Sequence, residues 1–292
     1  MIKIITPATT ANMGPGFDCI GMALKLYNTL WVEESEKDLE IEILRRQPLS
    51  IPEDETNLIY KTIKGFYEKV GQSLPGIHMM QEDEIPLTRG LGSSAACVVS
   101  GLLAANALSG ANLSKEELLQ MAARMEGHPD NAAPALLGGV VVGAMKDGRL
   151  SYSRLETPHL SRLSFAVLVP EFPLSTEEAR RVLPLMYSRE DAVFNASRAA
   201  LLVAALMQGQ FDLLECAADD RIHQPYRGKI IPGMSEVFES CMNAGAKAVF
   251  LSGAGPTAIA ITASKDFSPK LPNGWELNFL EPDLTGASVY FN

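Results

Sequence analysis

Pro86-Leu87-Thr88-Arg89-Gly90-Leu91-Gly92-Ser93-Ser94-Ala95-Ala96 places two glycines and two serines within five residues, then runs directly into the small-residue segment Cys97-Val98-Val99-Ser100-Gly101-Leu102-Leu103. Gly90 and Gly92 permit backbone angles and a close approach that a Cβ would obstruct. A helix beginning near Ser93 points its unpaired N–H groups and positive dipole end back at the loop. Such a combination suits an anion, phosphate above all. It is not a Walker A loop, because no lysine follows the glycines and the spacing differs. A Gly-Ser turn ahead of a buried helix is the plainer alternative, and other loops must decide.

At 292 residues, the chain has room for one large domain or two ordinary ones. With 47% hydrophobic and 21% charged residues it has the composition of a globular protein. A net charge of −10 argues against broad nucleic-acid or membrane surfaces, which call for basic patches. Cys19, Cys97, Cys216 and Cys241 lack C-x-x-C spacing, which suits reduced thiols better than a disulfide frame or zinc site. The N-terminus has no signal-peptide pattern, and the apolar run Ala132 to Met145 is broken by Pro134, Gly138 and Gly139. A cytoplasmic protein, with no membrane or nucleic-acid partner, is expected.

Residues 2–6 read as a strand leading into Pro7-Ala8-Thr9-Thr10-Ala11-Asn12-Met13-Gly14-Pro15-Gly16-Phe17-Asp18. Asn12 and Asp18 flank the glycine turn, so both can face one cavity or both can close Asx turns on their own backbone. Apolar alternation over Ile20–Val32 and Leu39–Leu44 predicts paired strands, with Glu33–Asp38 as a solvated hairpin connection. Ile59, Ile63, Phe66 and Val70 have helical spacing, with Asn57 at the N-cap and Gly71 as the stop. His78–Gln81 reads as a structural strand and Glu82-Asp83-Glu84 as a surface turn.

Ser114 and Glu117 form a capping-box pair that starts a helix running to about Met125. Glu126-Gly127-His128-Pro129-Asp130-Asn131 reads as a polar loop on a cavity floor. The turn-rich Lys146–Leu160 stretch is the expected boundary, giving domains of 1–155 and 156–292. Beyond it come a strand at Leu163–Pro170 and a helix capped by Ser175 and carrying Arg180. Further helices follow over Ala192–Met207, Phe211–Ala218 and Met234–Asn243. Strands Ala248–Leu251 and Ala258–Thr262 flank Ser252-Gly253-Ala254-Gly255-Pro256-Thr257.

Three loops, Asn-x-Gly-Pro-Gly-Phe-Asp, Gly-Leu-Gly-Ser-Ser-Ala-Ala and Ser-Gly-Ala-Gly-Pro-Thr, therefore each sit beside an apolar element. In that order they resemble the GHMP small-molecule kinase superfamily. The first loop, together with Glu126–Ala135, is similar to the homoserine kinases of that superfamily. The likeness runs from residue 2 to Gly286-Ala287; Met13, where leucine is usual, is a volume-conserving departure. The resemblance implies an α+β, two-domain GHMP kinase fold, with a ribosomal protein S5 domain 2-like N-terminal half and a ferredoxin-like C-terminal half. It implies transfer of a phosphoryl group from ATP to the side-chain hydroxyl of L-homoserine, in threonine biosynthesis.

On the same ground, Asn57 and residues Pro86, Leu87, Thr88, Arg89, Gly90, Leu91, Gly92, Ser93, Ser94, Ala95 and Ala96 would bind ATP. Ser94 and Glu126 would hold Mg²⁺, a hydroxyl and a carboxylate being the kind of ligand that ion takes. Arg180 and Arg227 would grip the substrate carboxylate through their planar forks; surface ion pairs are the plainer reading of each. Asp18 would take the ammonium and Asn12 the attacking hydroxyl, with Thr176, Asn131 and His128 nearby. Asn12, Asp18, Asn131, Arg180 and Arg227 form the expected catalytic set. Asp130 and Asp18 are the well-placed carboxylates, and neither is assigned as a base, because phosphoryl transfer rests on alignment and charge neutralisation.

A kinase for mevalonate, a sugar or another small alcohol stays open as a second reading. Asp18 beside two arginines favours an amino acid. A non-catalytic ligand sensor on the same scaffold would be expected to lose Ser94, Glu126 or the glycine loop, and all three are present. The apolar segments of the C-terminal half suit a homodimer without requiring one.

Overall fold

The computed structural model describes residues 1–45, 49–264 and 266–291. In chain order the elements begin β1 (Ile2–Asn12), β2 (Gly16–Ser35), β3 (Leu39–Ile43), α1 (Leu58–Val70) and β4 (Gly76–Asp83). There follow α2 (Ser93–Ser109), α3 (Lys115–Glu126), α4 (Pro129–Leu137), β5 (Val140–Lys146) and β6 (Arg149–Leu155). The second half has β7 (Ser164–Pro170), α5 (Thr176–Arg181), α6 (Arg189–Gln208), α7 (Leu214–Ala217), α8 (Gln224–Arg227) and α9 (Met234–Asn243). It closes with β8 (Ala248–Leu251), β9 (Ala258–Thr262), β10 (Trp275–Leu280) and β11 (Ser288–Phe291).

The helix boundaries follow their local chemistry. Asn57 Oδ1 accepts from the Ile59 and Tyr60 amides, and Gly71, left-handed at φ 72°, closes α1. Ser114 and Glu117 form the full capping box at the start of α3.

Two sheets carry the fold. The first has seven strands, ordered β11-β1-β2-β4-β3, with β5 and β6 extending from the far end of β2. The second has four antiparallel strands in the order β10-β7-β9-β8, the strand order of a ferredoxin-like sheet. Helices α1–α4 cover one face of the first sheet, where Ile4, Leu30, Val32 and Met79 pack against Ile63, Phe66, Val98 and Leu102. Strand alternation divides the second sheet. Phe165, Val167, Ile259 and Ile261 join Ile20, Met22 and Leu24 from the first sheet and Met13 from the turn between β1 and β2, together with Leu202 and Leu206 of α6. Ala166, Leu168, Leu251 and Ala260 face Val237 and Cys241 of α9. No helix among the described residues is long and apolar enough to cross a membrane.

Four local expectations are corrected. β3 does not form a hairpin with β2; it runs parallel to β4, which lies between them. Glu82 and Asp83 belong to β4 rather than to a surface turn, and Asp83 is 1% exposed. Pro129, the first residue of α4, takes Asp130 and Asn131 into a helix instead of a loop. The Lys146–Leu160 stretch contains β6, hairpinned to β5. In addition, β11 crosses the expected division at residue 155: from the end of the chain it pairs with β1.

Candidate active site

The three glycine loops meet at one cavity of about 600 Å³, and the packing explains why each needs its glycines. At Gly90 (φ 73°) a Cβ would lie 2.3 Å from the Ser252 carbonyl oxygen; at Gly92 (φ 73°) it would lie 1.9 Å from Thr9 Oγ1. Ser252 Oγ donates to the Gly90 carbonyl (2.7 Å), the Gly253 amide donates to Ala11 (3.0 Å), and the Gly253 carbonyl accepts from Asn12 Nδ2 (2.8 Å). Gly92 is the N-cap of α2, so that helix opens onto the cavity.

Pro86 to Ala95 line one end of the cavity, whereas Ala96 turns into the core and is fully buried. Arg89 departs further. Its guanidinium donates to the carbonyls of Pro170 (3.0 Å), Glu171 (2.6 Å) and Leu87 (3.4 Å), tying the loop to the end of β7 instead of aiming at phosphates. Ser93 Oγ is buried with no hydrogen-bond partner among the described residues. Ser94 Oγ donates to Glu126 Oε1 at 3.0 Å. Burial raises the Glu126 carboxyl above its ordinary value, against the opposing pull of Ser94 and His128. An orphaned hydroxyl, a cradle that a Cβ would fill and a desolvated carboxylate beside a hydroxyl fit a phosphate chain with a hard cation.

The wall beside Asn57 adds residues that the sequence reading missed. Asn57 lines the cavity, but its amide is engaged: Oδ1 caps α1 and Nδ2 donates to Pro52 (2.9 Å) and Gln81 Oε1 (3.2 Å). Gln81 Nε2 donates to Asp83 Oδ2 at 2.5 Å, and desolvation pushes the Asp83 carboxyl up to about 6. Alternation along β4 puts Ile77, Met79, Gln81 and Asp83 on its buried face, and that periodicity was the available signal.

At the other end Asp18, Arg180 and Arg227 come together. Arg180 donates from both terminal nitrogens to Asp18 (3.1 and 2.8 Å), a half-exposed bidentate pair that raises the arginine's already high value. Arg227 is no surface group: it is 1% exposed, and burial followed by the Arg180 charge lowers it to about 10. Its Nε donates to Ala179 (3.2 Å) and its Nη1 to Gly253 (2.9 Å) and His223 Nδ1 (3.2 Å). These bonds occupy Nε and Nη1, and among the described residues none is given to Nη2. The Phe17 ring lies 5.6 Å from the Arg180 guanidinium carbon and 5.3 Å from that of Arg227.

Asn12, left-handed at φ 69°, makes the backbone bond that was one of its two expected roles. Its Nδ2 holds Gly253 and its Oδ1 accepts from the Asp18 amide (3.0 Å), so it shapes the loop before it can meet any hydroxyl. His128 Nδ1 lies 2.6 Å from Asp130 Oδ1. Burial disfavours the charged ring, but the bond and charge of Asp130, with Asp18 beyond, outweigh it and raise His128 above its ordinary value. Asn131 Nδ2 reaches Asp130 (3.3 Å) while its Oδ1 accepts from Thr9 (2.7 Å), and Thr176 lines the same wall.

Residues 57–139 match the GHMP kinases N terminal domain and residues 202–275 the GHMP kinases C terminal domain. A homoserine kinase of Caldicellulosiruptor saccharolyticus is 46% identical, the match covering 99% of this chain and 97% of that one. One of Clostridium beijerinckii is 44% identical over 99% and 96%. The crystal structure of a homoserine kinase from Cytophaga hutchinsonii superposes with a TM-score of 0.87 at 30% identity, covering 99% of this chain and 97% of that one. An L. major mevalonate kinase, at 18% identity and TM-score 0.75, shares the fold. With its loops assembled as described, the chain belongs to the GHMP kinases, in their homoserine kinase branch.

Proposed function

We infer that the chain transfers the γ-phosphoryl group of ATP to the side-chain hydroxyl of L-homoserine, giving O-phospho-L-homoserine and ADP as a step of threonine biosynthesis. One observation carries the reading. A single cavity has a glycine cradle at the N-terminus of α2 at one end and a carboxylate with two guanidinium groups at the other. An amino acid brings an ammonium and a carboxylate, and Asp18 with Arg227 and Arg180 offers the complement of each. In this proposal the loop amides and the Ser93 hydroxyl take phosphate oxygens, and Ser94 with Glu126 holds Mg²⁺. When bound, that ion supplies positive charge to the phosphate oxygens. Arg227 presents Nη2 to the substrate carboxylate; Arg180 shares Asp18 with the incoming ammonium. Asn12 and Asn131 keep Asp18 and Asp130 in place. Catalysis then rests on bringing the hydroxyl in line with the phosphorus, which phosphoryl transfer through a loose transition state rewards. A cytoplasmic enzyme with domains of about 1–155 and 156–292, β11 returning to the first, completes the proposal, and a homodimer is compatible with it.

ADP release from Mg·ATP with L-homoserine, mevalonate, shikimate, galactose or no acceptor tests this reading. Turnover with homoserine is expected. Turnover with mevalonate or a sugar instead would keep the phosphate cradle and overturn the substrate end. Bound ATP without turnover on any acceptor would favour a ligand sensor.

A further inference from the structure

Arg227 contacts a neighbour that the sequence does not mark. His223, the N-cap of α8, is fully buried. Its Nε2 lies 2.8 Å from the Gly14 carbonyl oxygen, which can only accept, so Nε2 must carry a proton. Its Nδ1 lies 3.2 Å from Arg227 Nη1, which can only donate, so Nδ1 must present a lone pair. The two contacts together admit a single state, the neutral Nε2–H tautomer. The ring also stacks on Phe17, with centroids 5.3 Å apart and planes 26° apart, and Phe17 faces Arg227 as well. The segment is held from behind by Asp220. That carboxylate accepts from Asn195 Nδ2 (2.6 Å) and from the amides of Ile222 (3.0 Å), His223 (2.8 Å) and Gln224 (2.6 Å).

We propose that His223 is a positioning residue for the amino-acid substrate: as the neutral Nε2–H tautomer it links the Gly14 carbonyl to Arg227 and turns Nη2 of that guanidinium into the cavity. The inference deepens the proposed function and rests on Arg227 meeting the substrate carboxylate. Ionisation of the ring would put a proton on Nδ1 against a guanidinium. Burial, then the Arg227 charge, opposes that change, while Asp220 (3.6 Å from Nε2), the Gly14 carbonyl and Asp18 favour it; the balance lowers the ring below its ordinary value. Neutral solution therefore leaves the link intact.

Three substitutions separate the two ends of the ring. His223→Asn keeps an acceptor near Nδ1, His223→Gln keeps a donor near Nε2, and His223→Leu keeps neither. Steady-state kinetics should show the KM for L-homoserine raised about tenfold in the Gln and Leu variants and within about threefold in the Asn variant, the size expected for one hydrogen bond to a charged group. The KM for ATP should stay within about twofold throughout. An unchanged homoserine KM in a folded Leu variant, or parallel rises for ATP and homoserine in all three, would overturn the inference. Arg227→Met separates it from its premise. If that change leaves the homoserine KM alone, the premise and the inference both fail; if it raises the KM while folded His223→Leu does not, only the inference fails. A measurement on the unaltered protein remains should the variants not fold. With four histidines in the chain, ¹⁵N NMR can follow His223. A neutral Nε2–H signature from pH 8 to pH 6 supports the link, and an Nδ1–H tautomer or an imidazolium refutes it.

Discussion

Asp18→Asn isolates the charge that distinguishes an amino-acid site from a hydroxy-acid site. Asp18 has φ 55°, and asparagine is among the few residues that accept that region readily, so the backbone and the amide bond to Asn12 Oδ1 are kept. What changes is one oxygen, and with it the negative charge. The pair with Arg180 leaves the two side chains 34% and 38% exposed, so its loss costs about 0.2–1 kcal/mol of stability after solvent screening. For a chain of this length that is a fall in Tm of at most about 4 °C. The ammonium of homoserine, by contrast, loses a charge-assisted hydrogen bond of about 1.5–3 kcal/mol, or about 10- to 150-fold in kcat/KM. A coupled assay of ADP release against homoserine at saturating ATP, with a thermal melt alongside, reads both numbers. A fall of less than about threefold, or an equal rise in the KM for ATP, would refute the assignment of Asp18 to the ammonium.

Gly92→Ala should impair ATP use selectively: a left-handed alanine costs about 1–2 kcal/mol before the 1.9 Å approach of its Cβ to Thr9 Oγ1 is relieved, so a rise in ATP KM of about tenfold or more is expected by titration. Ser94→Ala and Glu126→Gln should each raise the Mg²⁺ concentration for half-maximal rate by about tenfold, and a saturation curve that does not move would remove them from the metal site. Arg89→Met should lower Tm through lost bonds to backbone carbonyls, about 1–3 kcal/mol, with ATP KM changed less than about threefold; a large ATP effect without destabilisation would mean that the guanidinium reaches phosphates after all. His128 is raised on folding, so the stability it contributes is fully present below its unfolded value of 6.5 and is lost as the pH climbs through the higher folded value. His128→Gln should therefore lower Tm more at pH 5.5 than at pH 8.5, and a deficit independent of pH would deny the link with Asp130.

Where a single residue carries its own geometry, the sequence was legible. Asn57 with Gly71, and Ser114 with Glu117, mark their helix ends because the capping groups are local. Apolar runs closed by proline or glycine placed β7, β8 and β9 for the same reason. Pairing was another matter. The pattern of Leu39–Ile43 says strand, but period two carries no information on the partner, so adjacency in sequence suggested β2 where the fold supplies β4 in parallel. Asp83 was hidden by its neighbours: in an acidic triplet, charge argues for solvent, although continuing the alternation from Ile77 and Met79 puts it inside. The cost of that burial is visible in a carboxyl pushed up to about 6.

The site residues show a second limit on what sequence can tell. The three loops could be matched as motifs, and the resemblance they opened pointed to Asp18, Ser94, Glu126, Arg180 and Arg227, but matching assigns work to side chains. In the structure Asn12 and Arg227 are held in part by main-chain groups that have no residue identity to read. The Gly253 carbonyl receives both Asn12 Nδ2 and Arg227 Nη1, and the carbonyl of Gly90, one residue from the cradle's centre, receives the hydroxyl of Ser252 beside it. One short turn between β8 and β9 thus touches the Gly90–Ser94 loop and bonds the arginine at the opposite end of the cavity. A side chain at Gly90 would push on the Ser252 carbonyl at 2.3 Å and so disturb Arg227 as well as the nucleotide. The glycines that looked like a phosphate motif also keep the two ends of the cavity in register, which is why a Gly90→Ala variant should lose homoserine affinity together with ATP affinity, whereas Asp18→Asn loses only the first.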